Sequence, residues 1–168
     1  MMLMENRSSR GEAEPDHRNI RGWLLLIALG LVIFPLWKVA TMVEDLLPAF
    51  TVEAWSALTM PGSHAYHPLN ARVLVFELIG NGLILVSSLF VAGNFFLKSR
   101  LLPRMMVVFL LCTLLFFLAD YVVSGLLPAV AAESPAESLL DVAAAVLVCA
   151  ILVPYFLFSK RVNGTFVR

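Results

Sequence analysis

The hydrophobic positions of this chain fall into four long stretches, which short polar segments separate. Each stretch holds about 20 or more mostly apolar residues, enough for a helix to cross ~30 Å of hydrocarbon. Unbroken apolar runs of this length predict membrane-spanning helices. We therefore expect an all-α, polytopic transmembrane four-helix bundle, with spans at approximately Trp23–Met42, Leu69–Leu97, Leu101–Leu127 and Leu139–Phe158.

The spans divide the chain into three parts: a polar tail (1–22), the four-span bundle (23–158) and a short basic tail (159–168). The first span follows a polar tail and is not closed by a small-residue cleavage site, so we interpret it as an uncleaved anchor. The longest connection, about Val43 to Pro68, is too short to form a soluble catalytic core.

Composition supports a membrane protein and argues against several other classes. Hydrophobic residues make up 60% of the chain and charged residues 14%, whereas a soluble domain has about 25% charged residues. The formal net charge is zero, so no basic field indicates nucleic acid as a partner. Nucleotide-binding and hydrolase motifs are absent, and no span contains a histidine to act as a base. We expect no enzymatic activity, no catalytic residues and no cofactor.

The distribution of charge predicts the orientation in the membrane. Ten of the twelve basic residues lie in the two tails and in the connection between spans two and three. The other two connections contain no Lys or Arg but several acidic residues. The positive-inside rule then predicts that both termini are cytoplasmic. The basic residues that we expect to contact lipid head groups there are Lys98, Arg100, Arg104, Lys160 and Arg161.

Two connections carry local structural signals. The link around Pro103 is so short that spans two and three should be antiparallel neighbours. The first outer connection is semi-apolar, from Leu47 to Leu58, and predicts either a short interfacial helix with Thr51 at its start or a plain loop.

Three ionisable residues are predicted at similar depth in the outer part of the membrane: Lys38, Glu77 and Asp120. Such groups are costly in lipid and usually face the interior of a bundle. Arg72 and Asp141 should lie higher, at the outer rim. Polar and small residues of span two share one broad helical face at 3.6-residue periodicity, namely Glu77, Gly80, Asn81, Ser87, Ser88 and Asn94.

We interpret Lys38, Glu77, Asn81 and Asp120 as a candidate intramembrane polar cluster, and two roles stay open. The charged groups either neutralise one another and fix helix register, or form a site for a small ion, proton or polar head group. Lys38 and Arg72 are also long enough to snorkel to the outer surface, which favours the first role.

Metal binding and disulfide formation have weak support. His64 and His67 stand three residues apart in the first outer loop, but a metal site needs further ligands, and a solvated pair explains them. Cys112 and Cys149 fall near the middle of two spans, where thiols usually serve as small apolar side chains. We therefore expect no metal site and no disulfide.

Two segments resemble a known family. The opening Arg21-Gly-Trp-Leu-Leu-Leu-Ile-Ala-Leu-Gly30 with Pro35-Leu36, and the closing Pro154-Tyr-Phe-Leu-Phe-Ser-Lys-Arg-Val-Asn-Gly-Thr-Phe-Val167, are similar to the domain-of-unknown-function 2569 family. The family usually has a lysine where Asn163 stands. The resemblance spans Arg21 to Val167 and implies a four-span bacterial inner-membrane protein. It implies no activity.

These observations leave two functional hypotheses. The first is an accessory or interaction protein that binds membrane lipid, other membrane proteins or a second copy of itself. The second is a small oligomeric transporter or channel that uses Lys38, Glu77 and Asp120. The two differ in whether the intramembrane charges serve movement of a solute across the membrane.

Overall fold

The structure is a computed structural model, and it describes residues 23–127, 135–159 and 162. The described residues form helices and contain no strand, which confirms the all-α prediction. Four of the helices are long and apolar enough to cross a membrane. The helices are α1 (Trp23–Thr41), α2 (Val52–Thr59), α3 (Asn70–Phe96), α4 (Leu102–Ser124) and α5 (Pro135–Phe158). The polar tail 1–22 and most of the basic tail lie outside the described residues.

The end of the first span differs from the prediction. The chain does not leave the helix at Met42 but continues through a π-helical turn, Met42–Leu46, and a 3-10 turn, Leu47–Phe50. The whole segment Trp23–Phe50 is 28 residues long. Hydropathy could not show this extension, because it marks the residues that lipid tolerates and not the residues at which backbone hydrogen bonding stops.

The short helix in the first outer connection is confirmed as α2. Thr51 is its N-cap, and the Thr51 hydroxyl oxygen accepts a hydrogen bond of 3.3 Å from the backbone N–H of Ala54. The rest of the connection is tied to the start of α3 by the buried side chain of Asn70. Its Nδ2 donates to the carbonyl oxygens of Leu58 at 3.0 Å and Ala65 at 2.9 Å. These two hydrogen bonds therefore hold α2 and the loop after it against the start of α3.

The prediction that spans two and three are antiparallel neighbours is confirmed by the packing of α3 against α4. The turn between them begins at Lys98, which has the left-handed φ of 54° that often ends a helix. Pro103 lies in the first turn of α4, where its missing N–H is not needed. The most extensive helix contact is nevertheless between α4 and α5, and α1 packs against α3.

The two ends of the bundle differ in charge. We call the end with the α3–α4 turn the basic end, because it carries Lys98, Arg100 and Arg104. We call the opposite end, which carries Glu44, Asp45 and α2, the acidic end. Since α1 runs towards the acidic end and α5 runs away from it, Lys38 and Asp141 both lie close to that end.

Apolar side chains close the basic end. Five side chains there are at most 1% exposed, and they come from all four long helices and from the chain after α5. Close packing of this kind leaves no room for water. The five residues are Leu24, Phe95, Leu102, Phe156 and Val162.

Large apolar side chains also cover the outside of the spans. Leu36, Leu83, Leu115 and Leu147, one from each long helix, are each at least 62% exposed. A surface of this kind is unfavourable in water and suits contact with lipid. The long helices therefore present their outward faces to the hydrocarbon, and the chain is a multi-pass membrane protein.

Candidate functional site: a charged cavity at the acidic end

A cavity of about 310 Å³ lies between the helices at the acidic end. It is lined by all four members of the cluster predicted from the sequence, Lys38, Glu77, Asn81 and Asp120. The structure therefore brings these side chains to one place, as their predicted depth indicated. Whether they bind a ligand stays a prediction.

Lys38 is the central cation of the cavity. It lies in the last turn of α1 and is only 7% exposed, so it does not snorkel to the surface. Its Nζ atom lies 5.3 Å from the ring centroid of Phe117 and 5.8 Å from that of Trp37, within the range of cation–π attraction. It makes no direct ion pair with a described residue, although Asp120 and Asp141 are near enough to attract it electrostatically.

Glu77 and Asn81 stand one turn apart on α3. Glu77 Oε1 accepts a hydrogen bond of 3.2 Å from the hydroxyl of Ser124 on α4, which connects the two helices across the cavity. The side-chain nitrogen of Asn81 donates to the backbone carbonyl of Glu77 at 2.8 Å. Its Oδ1 atom is buried without a hydrogen-bond partner among the described residues.

Asp120 supplies the third charged group, from α4. Its Oδ1 atom is buried and has no hydrogen-bond partner in the part of the chain that the structure describes. A buried carboxyl oxygen without a donor is unfavourable, since it has lost its water. Asp120 and Asn81 therefore each bring to the cavity a buried oxygen that has no donor among the described residues.

Of the two residues predicted at the outer rim, only one lines the cavity. Asp141, near the start of α5, is exposed and also lines the cavity, so it belongs with the cluster. Arg72 is exposed and does not line the cavity. The rim is therefore acidic where it meets the cavity.

Sequence reasoning missed Asp45 as a lining residue, and it assigned no role to Thr41 or Tyr121. Asp45 reaches the cavity because the chain stays helical beyond Thr41. Positions 38, 41, 42 and 45 keep the i, i+3, i+4, i+7 spacing of one helical face, which was the available signal. With Asp45, the described lining contains one lysine and four carboxyl groups.

The broad polar face predicted on α3 is divided between two places. Glu77 and Asn81 line the charged cavity, whereas Gly80 and Ser87 line a separate, mainly apolar groove of about 520 Å³ between α3 and α4. Ser88 is completely buried, and its hydroxyl donates to the carbonyl of Leu85 at 2.7 Å. A helical face of this width is too broad to face a single cavity, so its residues are divided between the cavity and the groove.

Other predicted groups lie away from the cavity. Lys98, Arg100 and Arg104 lie at the basic end, and their expected contacts with lipid head groups stay predictions. Lys160 and Arg161, which were expected to make the same contacts, lie outside the described residues. Cys112 and Cys149 are free thiols. Among the described residues, no three His, Cys, Asp or Glu side chains are grouped so as to hold a metal ion.

The fold and the cavity define the class: a multi-pass helical membrane protein with ionisable groups inside its bundle. Over residues 17–167 the chain matches the family described as "Protein of unknown function (DUF2569)", and it belongs to that family. The resemblance inferred from the opening and closing segments is thereby confirmed. No curated protein and no solved structure matches the chain.

Proposed function

We propose that this protein is an accessory protein of the bacterial inner membrane that binds lipid or other membrane proteins and has no enzymatic activity. One observation supports binding over transport: the ionisable groups inside the bundle are gathered at the acidic end, while the basic end is filled by apolar side chains. A polar recess that stops at a packed apolar core is suited to hold a group, and the described residues offer no polar path across the bundle.

The proposed orientation places both termini in the cytoplasm and the charged cavity on the outer side. It is supported by the positive-inside rule, since ten of the twelve basic residues lie on one predicted side. An even number of spans puts the two termini on the same side. The cavity would then be offered to the outer leaflet and to the space beyond it.

The second candidate is a small transporter or channel. The observation that favours it is the presence of Lys38, Glu77 and Asp120 at membrane depth, because ionisable groups there often belong to ion or proton pathways. A path would have to form between copies of the chain, since apolar side chains fill the described interior of one bundle at the basic end.

The test is to purify the tagged protein from cells after crosslinking and to identify the proteins and lipids that remain with it. We expect a stoichiometric partner or lipid that is lost in Asp120→Asn and retained in Glu44→Gln, whose carboxyl group lies outside the cavity. The same preparations in sealed vesicles should show no ion or proton flux. Flux that Glu77→Gln and Asp120→Asn abolish, with no partner or lipid retained, would replace this proposal by the transporter.

A further inference from the structure

The acidic-end cavity contains a buried lysine and a buried carboxyl group that form no direct ion pair with each other. Lys38 is only 7% exposed and contacts the faces of Phe117 and Trp37, with no direct ion pair to a described residue. Opposite it, Asp120 Oδ1 is buried without a hydrogen-bond donor in the described part of the chain. Buried charges are normally paired, so each of these groups is suited to a ligand group of opposite sign.

The balance of charge restricts what such a ligand can be. The lining has one lysine against four carboxyl groups, from Asp45, Glu77, Asp120 and Asp141. A ligand that is only anionic would be repelled by the carboxyl groups, and one that is only cationic would be repelled by Lys38 and leave it without a direct ion pair. A ligand that carries both signs satisfies both sides of the cavity.

The individual contacts agree with a ligand that has an ammonium group and an anionic group. The ammonium would face the carboxyl group of Asp120, which lines the cavity and has one oxygen without a donor among the described residues. The anionic group would face Lys38, whose ammonium supplies donors for a phosphate or carboxylate. Glu77 is held by Ser124 and adds a second carboxyl group beside the ammonium position.

Size and position indicate how such a ligand would enter. About 310 Å³ is at the lower end of the range of small-molecule sites and matches a head group or a small metabolite. Asp45 and Asp141 are exposed and also line the cavity, so it reaches the surface at the acidic end of the spans. That is the level of lipid head groups.

We propose that this cavity binds a zwitterionic group made of a primary ammonium and a phosphate or carboxylate, supplied by an aminophospholipid head group or by a free zwitterion. The proposal rests on the proposed function, because it names the chemistry that the accessory protein would hold at its acidic end. It assigns the anionic group to Lys38 and the ammonium to Asp120. Asp45 and Asp141 contribute negative charge, and the carboxyl group of Glu77 contributes acceptor oxygens.

The test uses the full-length protein in detergent, with retained lipid measured by native mass spectrometry. We expect phosphatidylethanolamine to bind about tenfold or more tightly than phosphatidylglycerol, as the loss of a charge-assisted hydrogen bond implies. Soluble O-phosphoethanolamine should compete with the lipid. Binding of O-phosphoethanolamine without phosphatidylethanolamine would support the same chemistry and identify the free zwitterion as the source.

Substitutions in the cavity test which residues bind the two charged groups of the ligand. Lys38→Met and Asp120→Asn should each weaken binding about tenfold or more, and Lys38→Arg should retain it. Two matched controls, Arg72→Met and Glu44→Gln, remove a charge at the same end without touching the cavity and should leave binding unchanged. The competition by O-phosphoethanolamine is measured on the unaltered protein, so the test stands even if a cavity variant does not fold.

Two results would overturn the proposal: equal binding of the two lipids with no binding of O-phosphoethanolamine, or equal losses in the cavity variants and the controls. Its failure can be told apart from failure of the proposed function. If lipid selectivity is absent but a protein partner is still lost in Asp120→Asn and kept in Glu44→Gln, only this proposal falls. If both signals are absent, both fall.

Discussion

Gly80→Ala is expected to destabilise the protein by about 1–3 kcal/mol, although alanine is the better helix former. A Cβ atom at Gly80 would collide with the ring of Phe116 on α4. That ring also packs against Phe76, with centroids 5.4 Å apart, so turning it aside would disrupt this contact. The collision should therefore displace the Phe116 ring from Phe76 or push α3 and α4 apart. The resulting loss of stability is measured as a lower unfolding midpoint in mixed micelles.

The same helix provides a matched control for Gly80. A Cβ atom at Gly82 meets nothing within 4 Å, so Gly82→Ala should leave stability unchanged or raise it by up to about 1 kcal/mol. Phe116→Leu, which shortens the opposing side chain, should recover part of the loss in Gly80→Ala. Equal shifts for the two alanine variants would mean that α3 and α4 do not approach closely at Gly80.

Lys38→Met is expected to destabilise the protein by about 2 kcal/mol, less than the about 3–5 kcal/mol for breaking a direct buried ion pair. Lys38 is the only basic residue among those described as lining the cavity, and its removal leaves the carboxyl groups there without a nearby cation. Arg72→Met removes an exposed cation at the same end and should change stability by less than about 0.5 kcal/mol.

A double variant separates this electrostatic effect from the loss of packing. Asp120→Asn removes one of the carboxyl groups that attract Lys38. In the Lys38→Met background it should cost less than it does alone, with a coupling of about 1 kcal/mol in a double-mutant cycle of unfolding free energies. Strictly additive losses would show that Lys38 acts through its aliphatic stem and aromatic contacts.

The existence of the spans and the depth of their charges followed from the sequence for simple physical reasons. Backbone groups in lipid must be hydrogen-bonded within the protein. A long apolar segment meets this requirement by forming a continuous helix. Depth then follows from counting residues along a helix, which placed Lys38, Glu77 and Asp120 at a similar level. Thr51 was recognisable as an N-cap because its side chain supplies a local acceptor.

Helix rotation and helix pairing did not follow from the sequence. Apolar residues occur all round α4, so no stripe distinguishes its α5 side from its lipid side. The extensive α4–α5 contact and the approach of Gly80 to Phe116 depend on packing between surfaces that are equally apolar. For the same reason, the sequence could not distinguish a buried Lys38 from one that snorkels.

The central claim is that the polar recess opens at the outer, acidic end and stops at an apolar core. It is tested by reacting single cysteines, placed in a variant without Cys112 and Cys149, with a small membrane-impermeant thiol reagent in intact and inverted vesicles. Ser124→Cys, which lines the cavity, should react only from the outer side, and Ser88→Cys, which is fully buried, should react from neither side. Reaction of Ser88→Cys, or reaction of Ser124→Cys from the cytoplasmic side, would contradict the account.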